Sequence, residues 1–502
     1  MPMKTRPIWP KASSGRVDSA LSAHSLIGLI VGGLIYVLCL SGTLAVFEDE
    51  LEWWEDASAP AVAAVTPEAA QKAAQTLFSA REGELSHLNL FLPREDWPRF
   101  VASTDEETRS VDAAGAPTGH HHAPWNAFLI DLHYYLHLPS IIGITLVGSL
   151  GAMLLALVLS GLLAHPRIFR DAFAFRRGGS ARLTQADLHN RLSVWLSPFF
   201  IAVALTGAMI GLFTVVGYLV AQAGFGGDIL ALYAVLFGEE PAPNPAAAPL
   251  ADIATALRTM KARFPEAIPF WIIVHEPGTL GQHVQVLAEH PQRLIYAEYY
   301  NFDGDGAFVS RTGMSDGALG QQIASSVYRV HFGYFGGFWV KAAYGVFGLC
   351  LCAVVATGLN LYFLKRERQG RPAPRLRSVW TGLVWGTPAL LAATFAGSVA
   401  GLLPPASLVP AFWAGLAALL LWAAITPAGR VRLEARAAAG LCLLLIVPFN
   451  VIMRMPADAP LLLHAVSAVL ALAALWLLRP VASAAFGKKD PAGRQGLTAP
   501  AE

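Results

Sequence analysis

The chain has 502 residues, 55% of them hydrophobic and 14% charged, with a net charge of +1. Soluble domains carry nearer a quarter charged residues, so this composition excludes an ordinary soluble protein and points to one built into a membrane. The basic residues fall in short stretches, not along one face, and this excludes a nucleic-acid partner.

A basic tail, residues 1–23 with Lys4, Arg6, Lys11 and Arg16, precedes the first apolar run at 24–47. Ser41-Gly42-Thr43-Leu44-Ala45 has the look of a cleavage region, but the run is longer than a signal-peptide core and carries His24, Tyr36 and Cys39. It is read as a retained helix. Residues 48–130 open on Glu48, Asp49, Glu50 and Glu52 and are too long for a connection. Within them, Val65-Thr66-Pro67-Glu68 predicts a helix start, and alternation over Leu88–Leu92 and Arg99–Ala102 predicts strands.

The second span is expected at 141–164, with an outer lead-in from 131. A basic loop at 165–189, with Arg167, Arg170, Arg176, Arg177 and Arg182, leads to a third span at 190–220. Residues 221–330 repeat the outward pattern: a helix from Ile253, strands at His283–Leu287 and Leu294–Tyr299, and a hairpin turn at Asn301–Gly306. A fourth span follows at 332–364, within a segment counted from 331. Four more at 378–398, 408–426, 435–452 and 461–479 make an additional membrane region, 378–479, before the tail 480–502. The basic loops all fall on one side, which places both termini in the cytoplasm. The expected fold is an all-α transmembrane protein of about eight spans, carrying two small α+β domains on the outer side.

The four cysteines all lie in apolar runs and read as small buried side chains, and no Cys-x-x-Cys-His attaches a c-type haem. The histidines carry more. His24, His165 and His189 fall near the cytoplasmic face, while His133, His137 and His331 fall near the outer one. Ionisable groups inside a bilayer mark ligand sites or ion paths by default. Ser41-Gly42, Ser160-Gly161, Thr206-Gly207 and Thr357-Gly358 recur near span ends, where small residues let helices or a flat macrocycle approach closely. Two clusters of three match two bis-histidine haems with a spare histidine each. Zinc or copper on three imidazoles is the rival ligand. On the outer side His133 pairs with His331, with His137 as alternative; on the inner side His24 pairs with His189, with His165 as competitor. His24, His133, His189 and His331 are thus the expected axial ligands. His137 and His165 are 28 residues apart, about 42 Å along a straight helix, so the electron path between clusters is long. Trp195 and Tyr36 are candidate bridges. The tract His120-His121-His122 reads as a surface linker or a labile metal-binding stretch. Phe332, Tyr334, Phe335, Phe338, Trp339, Trp125 and Tyr134, with His275 or Arg329, read as an outward interfacial belt or an acceptor dock.

His24-Ser25-Leu26-Ile27-Gly28, Leu132-His133-Tyr134-Tyr135-Leu136-His137-Leu138-Pro139, Gly161-Leu162-Leu163-Ala164-His165-Pro166-Arg167, Asp187-Leu188-His189-Asn190-Arg191 and Val330-His331-Phe332-Gly333 together give the chain a family likeness. It resembles the PepSY-associated transmembrane helix proteins, also called iron-regulated membrane proteins, over about residues 20–365. The resemblance implies a bacterial inner membrane and a four-helix core with two PepSY-like periplasmic domains. It also implies two haems b held by histidines, and reduction of a ferric siderophore in the periplasm. No side chain is assigned a catalytic role, because a bis-imidazole iron passes electrons without binding substrate. With no nucleotide-binding glycine fingerprint, the donor would be a quinol or another membrane or cytoplasmic reductant. A siderophore, peptide or metal permease and a non-enzymatic envelope regulator are the alternative functions.

Overall fold

The computed structural model describes residues 13–163, 181–237, 241–290, 293–456 and 459–486. The chain divides into two units, Met1–Pro372 and Ala373–Glu502.

In the first unit, α1 (Ser14–Ala45) crosses as one 32-residue helix. It starts before the apolar run does, so His24 lies ten residues inside it and does not open it. A short acidic helix, α2 (Glu48–Glu55), leads to α3 (Pro67–Ala80), β1 (His87–Phe91), β2 (Phe100–Thr104), β3 (Thr108–Val111) and β4 (Pro117–His120). The predicted helix start is found: the Thr66 hydroxyl accepts from Ala69 N at 3.1 Å, and Pro67 takes the first position, where no amide is needed. Then come α4 (Pro124–Tyr135) and the second long helix, α5 (Ser140–Leu163).

The third apolar run departs from expectation. Instead of one span at 190–220, the chain forms α6 (Ala181–Trp195), α7 (Ser197–Gly211), α8 (Phe213–Gly224) and α9 (Ile229–Phe237), with bends of 68° between α6 and α7 and 100° between α8 and α9. Pro198 cannot give Val194 the amide a helix requires, and the Ser197 hydroxyl donates to that carbonyl at 2.9 Å instead. Next are α10 (Ile253–Arg263), β5 (Ile268–His275), β6 (His283–Glu289), β7 (Glu298–Phe302) and β8 (Phe308–Thr312). Leu294–Ala297, expected as strand, lies outside β7. The fourth run is also split. His331 does not open the span but lies in the last turn of a separate helix, α11 (Leu319–Phe332), which Gly333 ends at φ 73°. The spanning helix is α12 (Gly337–Arg368).

The two outward segments each fold as a helix with four strands, and they join. All strands form one antiparallel eight-stranded sheet in the order β4-β3-β2-β1-β5-β6-β7-β8. The halves meet at β1–β5, with Leu88 opposite Val274 and Leu90 opposite Ile272. One core lies under α3 and α10, where Ala73, Leu77, Ala256 and Met260 bury Leu88, Leu90, Val274 and Val286. Each large aliphatic side chain buried there contributes roughly 1.5–3 kcal/mol. The two expected α+β segments are thus joined in one continuous layer.

The second unit is four helices, α13 (Pro374–Val399), α14 (Pro405–Ile425), α15 (Ala428–Met453) and α16 (Leu461–Phe486), close to the four expected runs. Pro480 leaves the Trp476 carbonyl without its helical donor, and Arg436 of α15 fills the gap at 2.8 Å while its guanidinium lies against the rings of Trp385 and Trp476. Among the described residues, seven helices are long and apolar enough to cross a membrane, and up to nine spans result if each bent pair counts as one. The chain is a multi-pass helical membrane protein with a sheet region on one side of its first unit.

Candidate cofactor site

Four histidines of the first unit are brought together as two pairs. On the sheet side, His133 of α4 faces His331 of α11, with ring centres 6.2 Å apart and planes crossing at 22°. Toward the other end of the helices, His24 of α1 faces His189 of α6, with centres 6.4 Å apart and planes at 85°. These are the pairings expected from the sequence.

Every ring is seated the same way. The Nδ1 of His24 donates to the Leu157 carbonyl at 3.0 Å and lies 3.2 Å from the Ser160 hydroxyl. His133 Nδ1 meets the Leu38 carbonyl at 3.1 Å and Ser41 Oγ at 3.4 Å. His189 Nδ1 meets the Val354 carbonyl at 2.9 Å and Thr357 Oγ at 3.4 Å. His331 bonds to the Val203 backbone, with Thr206 Oγ 3.0 Å from its Nδ1. In each case the carbonyl lies three residues before the Ser or Thr, and the following glycine faces the ring. A methyl group on Gly42 would come within 2.5 Å of the His133 ring, one on Gly207 within 2.8 Å of His331, one on Gly358 within 3.1 Å of His189 and one on Gly161 within 3.4 Å of His24. The Ser/Thr-Gly pairs, read from sequence as points of close helix or macrocycle approach, are imidazole seats. The signal that could have shown this is the equal spacing: His24 precedes Ser41 by 17 residues, and His189 precedes Thr206 by 17.

That spacing reflects an internal repeat. A first half, α1 to α5, and a second, α6 to α12, follow one plan: a histidine and a Ser/Thr-Gly 17 residues apart, on α1 in the first half and on the bent pair α6 and α7 in the second, then a helix with four strands, a second histidine helix, and a helix with the second Ser/Thr-Gly. Each seat belongs to the half of its own histidine, whereas each pair takes one histidine from each half.

An Nδ1–H committed to a carbonyl fixes the tautomer and leaves Nε2 with its lone pair for a metal. Two imidazoles bonded to one iron at about 2 Å each, with ring centres about 1 Å behind the nitrogens, stand roughly 6 Å centre to centre. Both pairs fit that donor set. Among the described residues there is no cluster of three or more His, Cys, Asp or Glu suited to a metal ion; of the inner three histidines, His165 lies outside those residues.

Other expected residues fall elsewhere. His137, the expected alternative, stands apart from the two pairs: its Nε2 donates to the Phe128 carbonyl at 2.9 Å and its ring stacks on Phe128 at 4.6 Å. Leu136 and His137 both take positive φ, 51° and 56°, so His137 secures the corner between α4 and α5. His165 lies outside the described residues. Trp125, in the first turn of α4, is buried and does not line an outward dock; its amide and that of Asn126 donate to the Glu55 carboxylate at 2.9 Å, which caps the helix that carries His133. Trp195 is 54% exposed, whereas Tyr36 is buried on α1 between the two pairs. The His133 seat lies 17 residues beyond His24 on α1, about 25 Å along the axis, so the pairs are nearer than the 42 Å expected from His137 and His165.

The tract His120-His121-His122 is not a free linker. His120 ends β4, and His121 lies 3.5 Å from Glu52 and 3.8 Å from Asp56, its pKa lowered by burial and by Arg99. Over the sheet-side pair, Tyr134, Phe332 and Tyr334 form an aromatic lid, with Phe332 5.6 Å from Tyr334 and 6.1 Å from Tyr134. Of the remaining belt residues, Phe338 and Trp339 are exposed and Arg329 pairs with Glu289 at 3.1 Å.

Residues 21–366, which hold both pairs, match the family described as the PepSY-associated TM region. The chain belongs to that family. It is also 28% identical, over 311 residues, to an uncharacterised protein of Pseudomonas aeruginosa, a match spanning 59% of this chain and 78% of the relative. As a member of the PepSY-associated family, the chain places the family region over the duplicated histidine core and carries α13 to α16 beyond it.

Proposed function

We propose that this chain is a membrane oxidoreductase that holds two haems b, one between His133 and His331 and one between His24 and His189, and reduces a ferric siderophore. The observation that supports this reading is the fourfold seat, which brings two imidazoles to 6.2 Å and 6.4 Å, centre to centre, in two places. When bound, a bis-imidazole haem supplies single-electron transfer with no open iron position. The chain's own residues hold the rings, fix their tautomers and exclude water from between the helices. Ferric ion reduced to ferrous becomes a poorer match for hard oxygen donors, which releases it from the chelator. The one-sided basic loops support an orientation with the sheet in the periplasm of a bacterial inner membrane, where siderophore would be reduced, and a quinol or partner reductase would supply electrons from the membrane or cytoplasm.

A visible spectrum of the purified chain tests this directly. Reduction with dithionite should give b-type bands, and a pyridine haemochrome assay should count two haems per chain. A count near zero would remove the reductase reading and favour a permease or an envelope regulator, neither of which uses the paired imidazoles. In oriented vesicles, ferric siderophore added on the sheet side should oxidise the reduced protein; oxidation only from the opposite side would reverse the proposed direction.

A further inference from the structure

Directly above the aromatic lid lies a half-buried charge cluster that the electron-carrier reading leaves unused. Lys341 of α12 pairs with Asp49 and Glu50 at 3.1 Å and with Asp96 at 3.7 Å. Arg94 pairs with Asp49 at 3.1 Å and with Asp96 at 3.4 Å. Glu52 accepts from Trp97 Nε1 at 3.0 Å and lies beside His121. Among the described residues Glu48 has no cation in direct ion-pair contact, and its carboxylate accepts from the Tyr334 hydroxyl. Five carboxylates, Glu48, Asp49, Glu50, Glu52 and Asp96, therefore stand against two full cations, Lys341 and Arg94, with a third, Arg99, acting on Glu52 but already paired with Asp56 at 2.9 Å. In a low-dielectric site that inventory does not allow all five to be ionised.

The position of Glu48 ties this surplus to the histidine pair. It follows the Ser41-Gly42 seat of His133 by seven residues from Ser41, about two helical turns, and its partner Tyr334 is three residues beyond His331. Phe332 bridges from Tyr334 to Tyr134, whose ring is 6.1 Å from His133. We infer that Glu48, held by Tyr334, is a redox-linked proton acceptor: it takes up a proton from the sheet side when the sheet-side cofactor gains an electron, and releases it when that electron leaves. This rests on the haem reading above. The balance is one electron from the donor and one proton from the aqueous phase: where Glu48 is ionised before reduction, around and above about pH 8, the proton ends on its carboxyl and the reduction adds no net charge to the buried region.

The groups facing Glu48 agree in sign. Burial raises its carboxyl to about 8, and Asp49 and Glu52 push the same way against Arg94 and Lys341. Tyr134 and Tyr296, the other titratable neighbours, have hydroxyls held above their ordinary value by burial and so stay neutral. An added negative charge below raises the affinity of Glu48 for a proton further.

The test is a spectroscopic redox titration of the haem-loaded full chain from about pH 6 to about pH 10, paired with infrared spectra of the protonated-carboxyl region. The sheet-side midpoint should fall as pH rises across about 8, approaching one proton per electron, while the other midpoint stays level. Glu48→Gln should flatten that slope and remove a carboxyl band present at pH 7. Tyr334→Phe, which keeps the ring, should shift the same band and move the slope along the pH axis. Haem present with an unchanged slope in Glu48→Gln, or a slope confined to the far-side centre, overturns the coupling alone. A preparation without haem overturns the site reading, and the coupling with it.

Discussion

The two histidine pairs share a seat but not a packing density. On the sheet side the rings lie nearly parallel, and the glycines behind them leave 2.5 and 2.8 Å for an added methyl group. At the far side the rings are nearly perpendicular, and the corresponding spaces are 3.4 and 3.1 Å. The same hydrogen-bond chemistry therefore works in a tight and in a looser setting. Ring position is fixed first by the Nδ1 bond and only then by the walls.

Removing a ring should have the largest effect on this comparison. His331→Ala is expected to cost one of two haem equivalents and leave the second spectrum in place, and His24→Ala should do the converse. A haemochrome count unchanged in both variants would break the assignment. Crowding a ring comes next. Gly42→Ala forces His133 or α1 to shift, at about 1–3 kcal/mol, so haem retention on the sheet side should fall on the order of tenfold or more. Gly161→Ala, with 3.4 Å available, should lose less than about 1 kcal/mol and keep its haem. Equal losses in the two would show that packing does not distinguish the sites.

A third histidine group lacks the seat. His87, His275 and His283 stand in register on β1, β5 and β6, with His275 stacked on His283 at 4.4 Å and 5.2 Å from His87. Burial, then His283 and His87, depress His275 to about 4 from 6.5, while Gln285 opposes them and Asp105 lies 3.9 Å from His87. Because the folded state binds its proton less tightly, the stability this gives is present above pH 6.5 and is lost as pH falls toward 4. Allowing for partial exposure, the loss should be at most about 2 kcal/mol. Thermal unfolding of the full chain between those pH values should show the slope, and His275→Gln should reduce it. A slope unaffected by that change would place the titration elsewhere. The smallest expected effect is electronic. Rings crossed at 22° and at 85° place their π orbitals differently on the metal, so the oxidised protein should show two distinct low-spin paramagnetic resonance signals, the perpendicular pair giving the more anisotropic one. A single signal would mean the rings reorient on binding.

Much of this site is legible in the sequence because it depends on local features. Hydropathy marks α1, α5 and the four helices of the second unit, Thr66-Pro67 marks a helix start, and the basic loops separate the histidines into two groups, from each of which the structure brings two rings together. What remained hidden is non-local or conformational. Ser197-Pro198 lies inside an apolar run, so hydropathy reads through the 68° bend that the proline imposes. His133 and His137 are four residues apart and look equivalent on a helix, but the left-handed Leu136 turns His137 onto Phe128. The β1–β5 seam joins strands some 180 residues apart, and no local pattern in either strand specifies it. The carbonyls of Leu38, Leu157, Val203 and Val354 carry no sequence signal, since any residue could supply them.

The repeat makes the first unit resemble a dimer whose subunits share one polypeptide. Each half builds two complete imidazole seats, yet neither half alone can place ligands on both faces of a macrocycle. A bound cofactor would therefore act as a cross-link between halves, stabilising their association by mass action in the way a shared prosthetic group holds an oligomer. Cutting the chain in the connection between α5 and α6 should then leave two fragments that reassociate in proportion to the haem supplied, and either fragment alone should hold five-coordinate iron at best.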